Sequence, residues 1–242
     1  MPKDDTRIIL FAAIVCVICS LVLSATAAVL RKRQDENAET DRKMNVLQAF
    51  GIEVRNEKGK KLLSAEEVED YFVEYISEVV LEAESGEIIP DLTSKNLSRT
   101  ELKEKTRLPL YLWSENGNVV KYAFPISGRG LWSTVHGYLA LDKDLATVVG
   151  VTFYKHGETP GLGAECSEPW FMSQFAGKKL WGDGDLLPFE VVKNGVPSKY
   201  PDGCDYCVDG ITAATITSNG IMKFIRSDMN AYNKYFVTIR GS

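Results

Sequence analysis

The chain has 242 residues, 45% of them hydrophobic and 25% charged, with a formal net charge of -5. This is the composition of an ordinary folded protein, and the acidic balance argues against a nucleic-acid partner.

From Ile8 to Leu30 no charged residue occurs. As a helix at about 1.5 Å per residue this stretch is roughly 35 Å long, enough to cross a hydrocarbon core of about 30 Å. Residues 1–30 therefore read as a short tail and one transmembrane helix, with the lipid bilayer as its partner. A cleaved signal peptide is the competing reading, since Ala25-Thr26-Ala27 has the small-residue spacing of a cleavage site. Against it, the apolar run continues through Val29 and Leu30 before Arg31-Lys32-Arg33. By loop charge alone these residues, with Arg42 and Lys43, would keep the bulk of the chain in the cytoplasm, although that rule weakens for long domains. Residues 31–62 read as a helical stalk and linker, the helix ending at Gly51.

Residues 63–242 read as one α+β domain with mainly antiparallel strands and flanking helices. Ser64 and Glu67 have capping-box spacing, and Val68, Tyr71, Phe72, Tyr75, Ile76, Val79 and Val80 extend a helical period to Leu81. From Leu110 short β-rich runs follow, "LYLW", "VVKYAFPI", "GYLALD" and "TVVGVTFY", separated at hairpin distances by turns such as "ENGN". Ser167 is placed to cap a short helix through Phe175, with Pro169 near its start and Gly177 beyond its end. "PFEVVK" reads as a further strand, and a helix from about Ser218 to Phe236 carries Ile221, Phe224, Ile225, Met229 and Tyr232 in register. The hydroxyl-rich "DGITAATITSNG" (209–220) lies at or just before the start of that helix.

Two C-x-x-C pairs occur, but Cys16 and Cys19 lie within the expected span and Cys204 and Cys207 far out in the domain, so they can hardly share one ion. Cys16 and Cys19 fall near one helix face, where small packing residues are the plain reading and a metal site shared with other chains the sharper one. Cys204 and Cys207 sit in a Gly/Pro/Asp-rich loop as a local disulfide or as free thiols. No G-x-x-x-x-G-K-[ST] loop is present, "GRG" lacks the later glycine of a dinucleotide fingerprint, and no serine sits in a nucleophile elbow. The two histidines, His136 and His156, are isolated and read as structural. With so little acid-base machinery, a cofactor has to supply the reactivity.

Three segments stand out: "GRGLWS" (128–133), "GETPGLGAE" (157–165) and "DGITAATITSNG". Together with the single N-terminal span, and in this order, they resemble the C subunit of the sodium-translocating NADH:quinone oxidoreductase over nearly the whole chain. A more distant similarity is to the G subunit of the related complex that couples ferredoxin and NAD. The resemblance implies FMN joined by a phosphoester to the last threonine of a D-x-x-[ST]-G-A-T motif. Asp209, Thr212, Ala214 and Thr215 match that motif, so Thr215 is the implied attachment residue. The departure is Ala213, where the family has glycine. Thr212 and Thr217 would be hydrogen-bonding neighbours of the phosphate, with plain strand or cap roles as the alternative reading, and Asp209 would mark the site for the flavin-attaching transferase. Glu158, Thr159, Gly161, Leu162 and Gly163 would line the isoalloxazine ring, with Gly130, Leu131, Trp132 and Ser133 opposite. The implied protein is an electron-carrying component working with the other subunits of the complex, distinct from those that react with NADH and quinone. It would sit in the bacterial inner membrane with its flavin domain facing the periplasm or cell exterior. A flavin-free, membrane-tethered scaffold domain is the alternative of a different class.

Overall fold

The computed structural model describes residues 3–56, 59–182 and 185–240. Helix α1 (Lys3–Ala49) is continuous through the apolar segment and the stalk. It is long and apolar enough to cross a membrane. Within the first compact unit, which ends at Arg42, side chains such as Phe11, Ile14, Leu21 and Val22 are exposed. Cys16 and Cys19 are exposed free thiols there.

The second unit begins at Lys43, while the chain is still helical. Met44, Val46, Leu47 and Ala49 are fully buried and cluster with Phe50, Val54 and Val68. Residues 43–54, part of the linker in the sequence reading, thus belong to the folded core, because the last turns of α1 carry apolar side chains that cover a sheet. Gly51 ends the helix with φ of 90°: its N–H reaches the Gln48 carbonyl (3.0 Å) and the Ile52 N–H reaches that of Leu47 (3.0 Å). That is the paired closure a left-handed residue permits.

Helix α2 (Ala65–Tyr75) opens on the expected capping box, with Ser64 Oγ accepting from the Glu67 N–H (3.2 Å) and Glu67 Oε2 from the Ser64 N–H (2.8 Å). It ends earlier than its apolar spacing suggested. Ile76 begins β1 (Ile76–Glu82), which pairs with β2 (Ile88–Ile89) and, over its whole length, with β3 (Arg107–Glu115) after the short α3 (Arg99–Glu104). Ile76, Val79 and Val80 are β-branched and suit either element, and the ladder to β3 decides the matter.

With β4 (Asn118–Arg129), β5 (Thr134–Asp142) and β6 (Val148–Lys155) these strands form an antiparallel sheet in the order β2-β1-β3-β4-β5-β6. Alternate residues of each strand serve opposite faces. Tyr111, Trp113, Ala123, Tyr138 and Ala140 meet the residues after Lys43 and α2. Leu110, Leu112, Phe124, Leu139 and Leu141 meet α5 (Thr215–Arg240) through Ile221, Ile225, Met229, Tyr232 and Phe236. Two polar ties fix α5 on this face: Tyr232 donates to the Pro109 carbonyl (2.6 Å), and buried Asp228 accepts from the Ser127 N–H (2.9 Å) while pairing with Lys105 (2.5 Å).

The segment expected to be one helix from Ser167 is a single α turn, α4 (Pro169–Met172), between 3-10 turns at Gly163–Ser167 and Ser173–Phe175. Ser167 caps nothing, because its Oγ donates to the Ala164 carbonyl (2.9 Å) and meets His156 Nε2 (3.1 Å). β7 (Trp181–Gly182) pairs with β8 (Asp185–Leu186). Of "PFEVVK" only β9 (Glu190–Val192) is strand, paired in parallel with β10 (Cys207–Asp209). Cys204 and Cys207 form a disulfide at the entry to β10. α5 starts at Thr215, earlier than the apolar spacing indicates.

Candidate functional site

The three loops singled out in the sequence meet at one buried carboxylate. β4 ends at Arg129, and the turn that follows closes when the Gly130 N–H bonds the Ser133 carbonyl (2.8 Å). This points the next three amides inward. Glu158, 5% exposed, accepts all of them: Oε1 from the N–H groups of Trp132 (3.0 Å) and Ser133 (3.1 Å), Oε2 from that of Leu131 (3.1 Å). A fourth donor is the hydroxyl of Thr217, on the first turn of α5, at 2.6 Å from Oε2. Burial opposes the charge on Glu158, but the Thr217 hydroxyl and the three amides outweigh it, and the carboxyl is held below the usual glutamate value.

The neighbouring backbone is tied to the same point. Gly157 N–H donates to Ser133 Oγ (2.6 Å), and Glu158 N–H donates to His156 Nδ1 (3.3 Å). With Nδ1 accepting, the ring donates through Nε2 to Ser167. The Thr159 carbonyl accepts from the amides of Leu162 and Ala164 (both 3.1 Å), folding "ETPGLG" into a closed turn. Glycine is required where this turn passes the hub. A Cβ on Gly163 would lie 2.7 Å from both Glu158 Oε2 and Thr217 Oγ1, and one on Gly130 would lie 2.7 Å from Glu158 Oε1. Beneath, buried Cys166 has its thiol pushed up to about 12, first by burial and then by the Glu158 charge, so it is an unreactive packing residue.

The outer surface of these loops is apolar and open. Leu131, Trp132, Leu162 and Ile216 are exposed, Trp132 by 70%. Large apolar side chains held out by closed turns leave surface for a flat ring to cover. Beside them Thr215 is the first residue of α5, and its side chain is exposed, as is that of Thr212. The first helical hydrogen bond runs from the Ser218 N–H to the carbonyl of buried Ala214 (3.0 Å). The amides of Thr215, Ile216 and Thr217 thus precede the helical ladder, which is the arrangement that attracts a phosphate. The Thr217 hydroxyl hydrogen is committed to Glu158, so its amide rather than its side chain is the donor available there. Asp209 lies at the end of β10, where Oδ1 accepts from the Val196 N–H (2.6 Å) and its own N–H donates to Gln174 Oε1 (2.7 Å). It shapes the loop ahead of Thr215. Ala213 holds φ of 59°, in the left-handed region.

The structure therefore brings Gly130, Leu131, Trp132, Ser133, Glu158, Gly163 and Thr217 to a single hub. Thr159, Gly161 and Leu162 form the exposed turn beside it, and Thr212, Ala214 and Thr215 the approach to α5. A hydroxyl at a helix N-terminus beside an exposed apolar shelf fits a phosphate-bearing flavin. His156 and Ser167, which brace the hub, were missed as site residues; the one available signal was the His-Gly-Glu sequence itself. Among the described residues no three His, Cys, Asp or Glu side chains gather as a metal would require.

Residues 130–229 match the family model of the FMN-binding domain. The fold and site define a flavoprotein of the FMN-binding class. The chain is 32% identical to the C subunit of the Na(+)-translocating NADH-quinone reductase of Vibrio anguillarum, covering 90% of this chain and 88% of that one. It is 30% identical to the corresponding protein of Yersinia pestis, over 91% and 88%. The crystal structure of the corresponding protein from Parabacteroides distasonis superposes with a TM-score of 0.71 at 30% identity, covering 85% of this chain and 96% of the other. The chain belongs to the family formed by the C subunit of the Na(+)-translocating NADH-quinone reductase.

Proposed function

We propose that this chain is the FMN-carrying electron relay of a membrane-bound, sodium-translocating NADH:quinone oxidoreductase, and that Thr215 carries the flavin through a phosphoester. The observation that supports it most directly is exposed Thr215 at the first position of α5, on the same turn as Thr217, whose hydroxyl ties that turn through Glu158 to the loop that carries exposed Leu131 and Trp132. When bound, FMN supplies the ability to accept and release electrons singly or in pairs. The chain's own residues do the rest. The amides of Thr215, Ile216 and Thr217 face the phosphate charge at about 0.3 to 1 kcal/mol per contact, enough to orient it but not to retain it. The ester through Thr215 Oγ does the retaining. Trp132 and Leu162 cover the ring and keep water from part of it, while Glu158 holds the loops they stand on.

In this reading α1 anchors the chain in the inner membrane, electrons pass to and from cofactors of neighbouring subunits, and NADH oxidation and quinone reduction occur elsewhere in the complex. Asp209 belongs to the surface that the flavin-attaching transferase meets. The domain faces the periplasm, a reading supported by the Cys204–Cys207 disulfide, a bond that persists in oxidising compartments. Protease digestion of intact spheroplasts should degrade the domain; a protected domain overturns the orientation. The function is tested by co-expression with the transferase and ultraviolet fluorescence after denaturing electrophoresis. A fluorescent wild-type band that Thr215→Val abolishes, with circular dichroism unchanged, is expected. A dark wild-type band refutes the reading.

A further inference from the structure

We propose that Glu158 is the positioning residue of the flavin site, a buried anion that assembles the 130–133 turn, the 158–163 turn and the first turn of α5 in the apo chain, before any flavin is attached. The inference rests on the flavin reading above for its consequence but on the hydrogen bonds alone for its premise. Each carboxylate oxygen takes two donors: the amides of Trp132 and Ser133 on Oε1, the amide of Leu131 and the Thr217 hydroxyl on Oε2. Three successive backbone N–H groups aimed at one point form the kind of concavity that binds anions. Here the anion is supplied by the chain itself.

All four donors are neutral, and all four are satisfied only by a carboxylate. A glutamine has a single acceptor oxygen and an NH2 that only donates. Whichever way it is turned, two of the four donors would face another donor. An aspartate is shorter by one methylene and cannot reach all four from the same backbone. The residue also explains two small side chains: Gly130 and Gly163 leave the room the carboxylate occupies, since a Cβ on either would fall within 2.7 Å of one of its oxygens. A functional consequence follows. A permanent negative charge beneath the ring-bearing loops opposes the addition of electrons above it, so Glu158 holds the flavin's midpoint potential below the value its loops alone would set.

The test uses the full-length chain in detergent, prepared with and without the transferase, as wild type, Glu158→Gln, Thr217→Val and Thr217→Ser. Without the transferase, hydrogen exchange of the amides of Leu131, Trp132 and Ser133 should quicken about tenfold or more in Glu158→Gln. Amides of Leu139 and Ala140, in the sheet, should stay protected. Thr217→Val should quicken the same amides less, and Thr217→Ser should restore the wild-type rate; these two keep the test intact where Glu158→Gln does not fold. With the flavin attached, the midpoint potential of Glu158→Gln should move to more positive values. Exchange at residues 131–133 that is unchanged in both Glu158→Gln and Thr217→Val overturns the proposal, as does an unchanged potential in a flavinated Glu158→Gln. A wild-type chain that takes up no flavin refutes the functional reading, while the exchange result on the apo chain still decides the role of Glu158.

Discussion

Ala213→Gly should stabilise the domain. Residue 213 holds φ of 59° two positions before the first residue of α5, and it is exposed. For a residue with a Cβ the left-handed conformation costs roughly 1–2 kcal/mol, because the Cβ crowds the following carbonyl. Glycine removes that cost but loses about 0.4–1 kcal/mol through the greater freedom it gives the unfolded chain. With no buried surface forfeited, the net gain is about 0.5–1 kcal/mol. For a domain of this size that is a rise in melting temperature of about 1–4 °C. The measurement is thermal or urea denaturation of the full chain in detergent, wild type against variant, with Ala213→Val as the opposite control, since a β-branched residue tolerates this conformation least. Equal or lower stability of Ala213→Gly would show that the segment relaxes out of the left-handed region in solution and that the alanine stores no strain. The unmodified chain should be used on both sides of the comparison, so that a change in flavin attachment does not enter the result.

Replacing both Cys204 and Cys207 with serine should lower stability by about 2 kcal/mol, the closure entropy of so short a loop, and reducing agent should lower the wild type by the same amount in urea titrations. Gly163→Ala should cost about 1–3 kcal/mol and separate Thr217 from Glu158, which a lower melting temperature and faster exchange at residues 131–133 would report together. Glu158 has a folded-state pKa depressed below its unfolded value near 4.5. Its stability contribution is therefore complete above about pH 4.5 and lost as the pH falls through the depressed value. Denaturation of wild type and Glu158→Gln should accordingly differ most near neutrality and converge in acid. Asp228 works in the other direction: burial raises its pKa above the usual aspartate value despite Lys105 and the Ser127 amide, so its charged form burdens the fold and protonation relieves it.

What was legible in the sequence and what was not divide along physical lines. A capping box is a local chemical event, so Ser64 and Glu67 announced the start of α2. The end of that helix was decided at a distance, by hydrogen bonds from Ile76–Glu82 to a strand that begins at Arg107. Apolar spacing at 76, 79 and 80 satisfies a helix, and the same β-branched residues satisfy a strand. Likewise α1 read as a stalk to Gly51, and the stop was right in kind, but which of its turns join the core depends on Trp113, Tyr138 and Ala140, which lie far along the chain. The site shows the same division. Its loops were visible because glycine-rich turns and clustered hydroxyls are unusual locally. The hub itself was not visible: the resemblance offered Glu158 only as a residue lining the ring, and its role as a buried carboxylate appears only when four donors from two other segments are found around it. Sequence pattern exposes what a residue does to its neighbours in the chain, whereas a buried carboxylate is defined by which distant donors need it. For that reason the glycines offer the earlier clue. Gly130 and Gly163 stand where a side chain would strike the Glu158 carboxylate, and a loop that keeps glycine without a left-handed φ is keeping space for something.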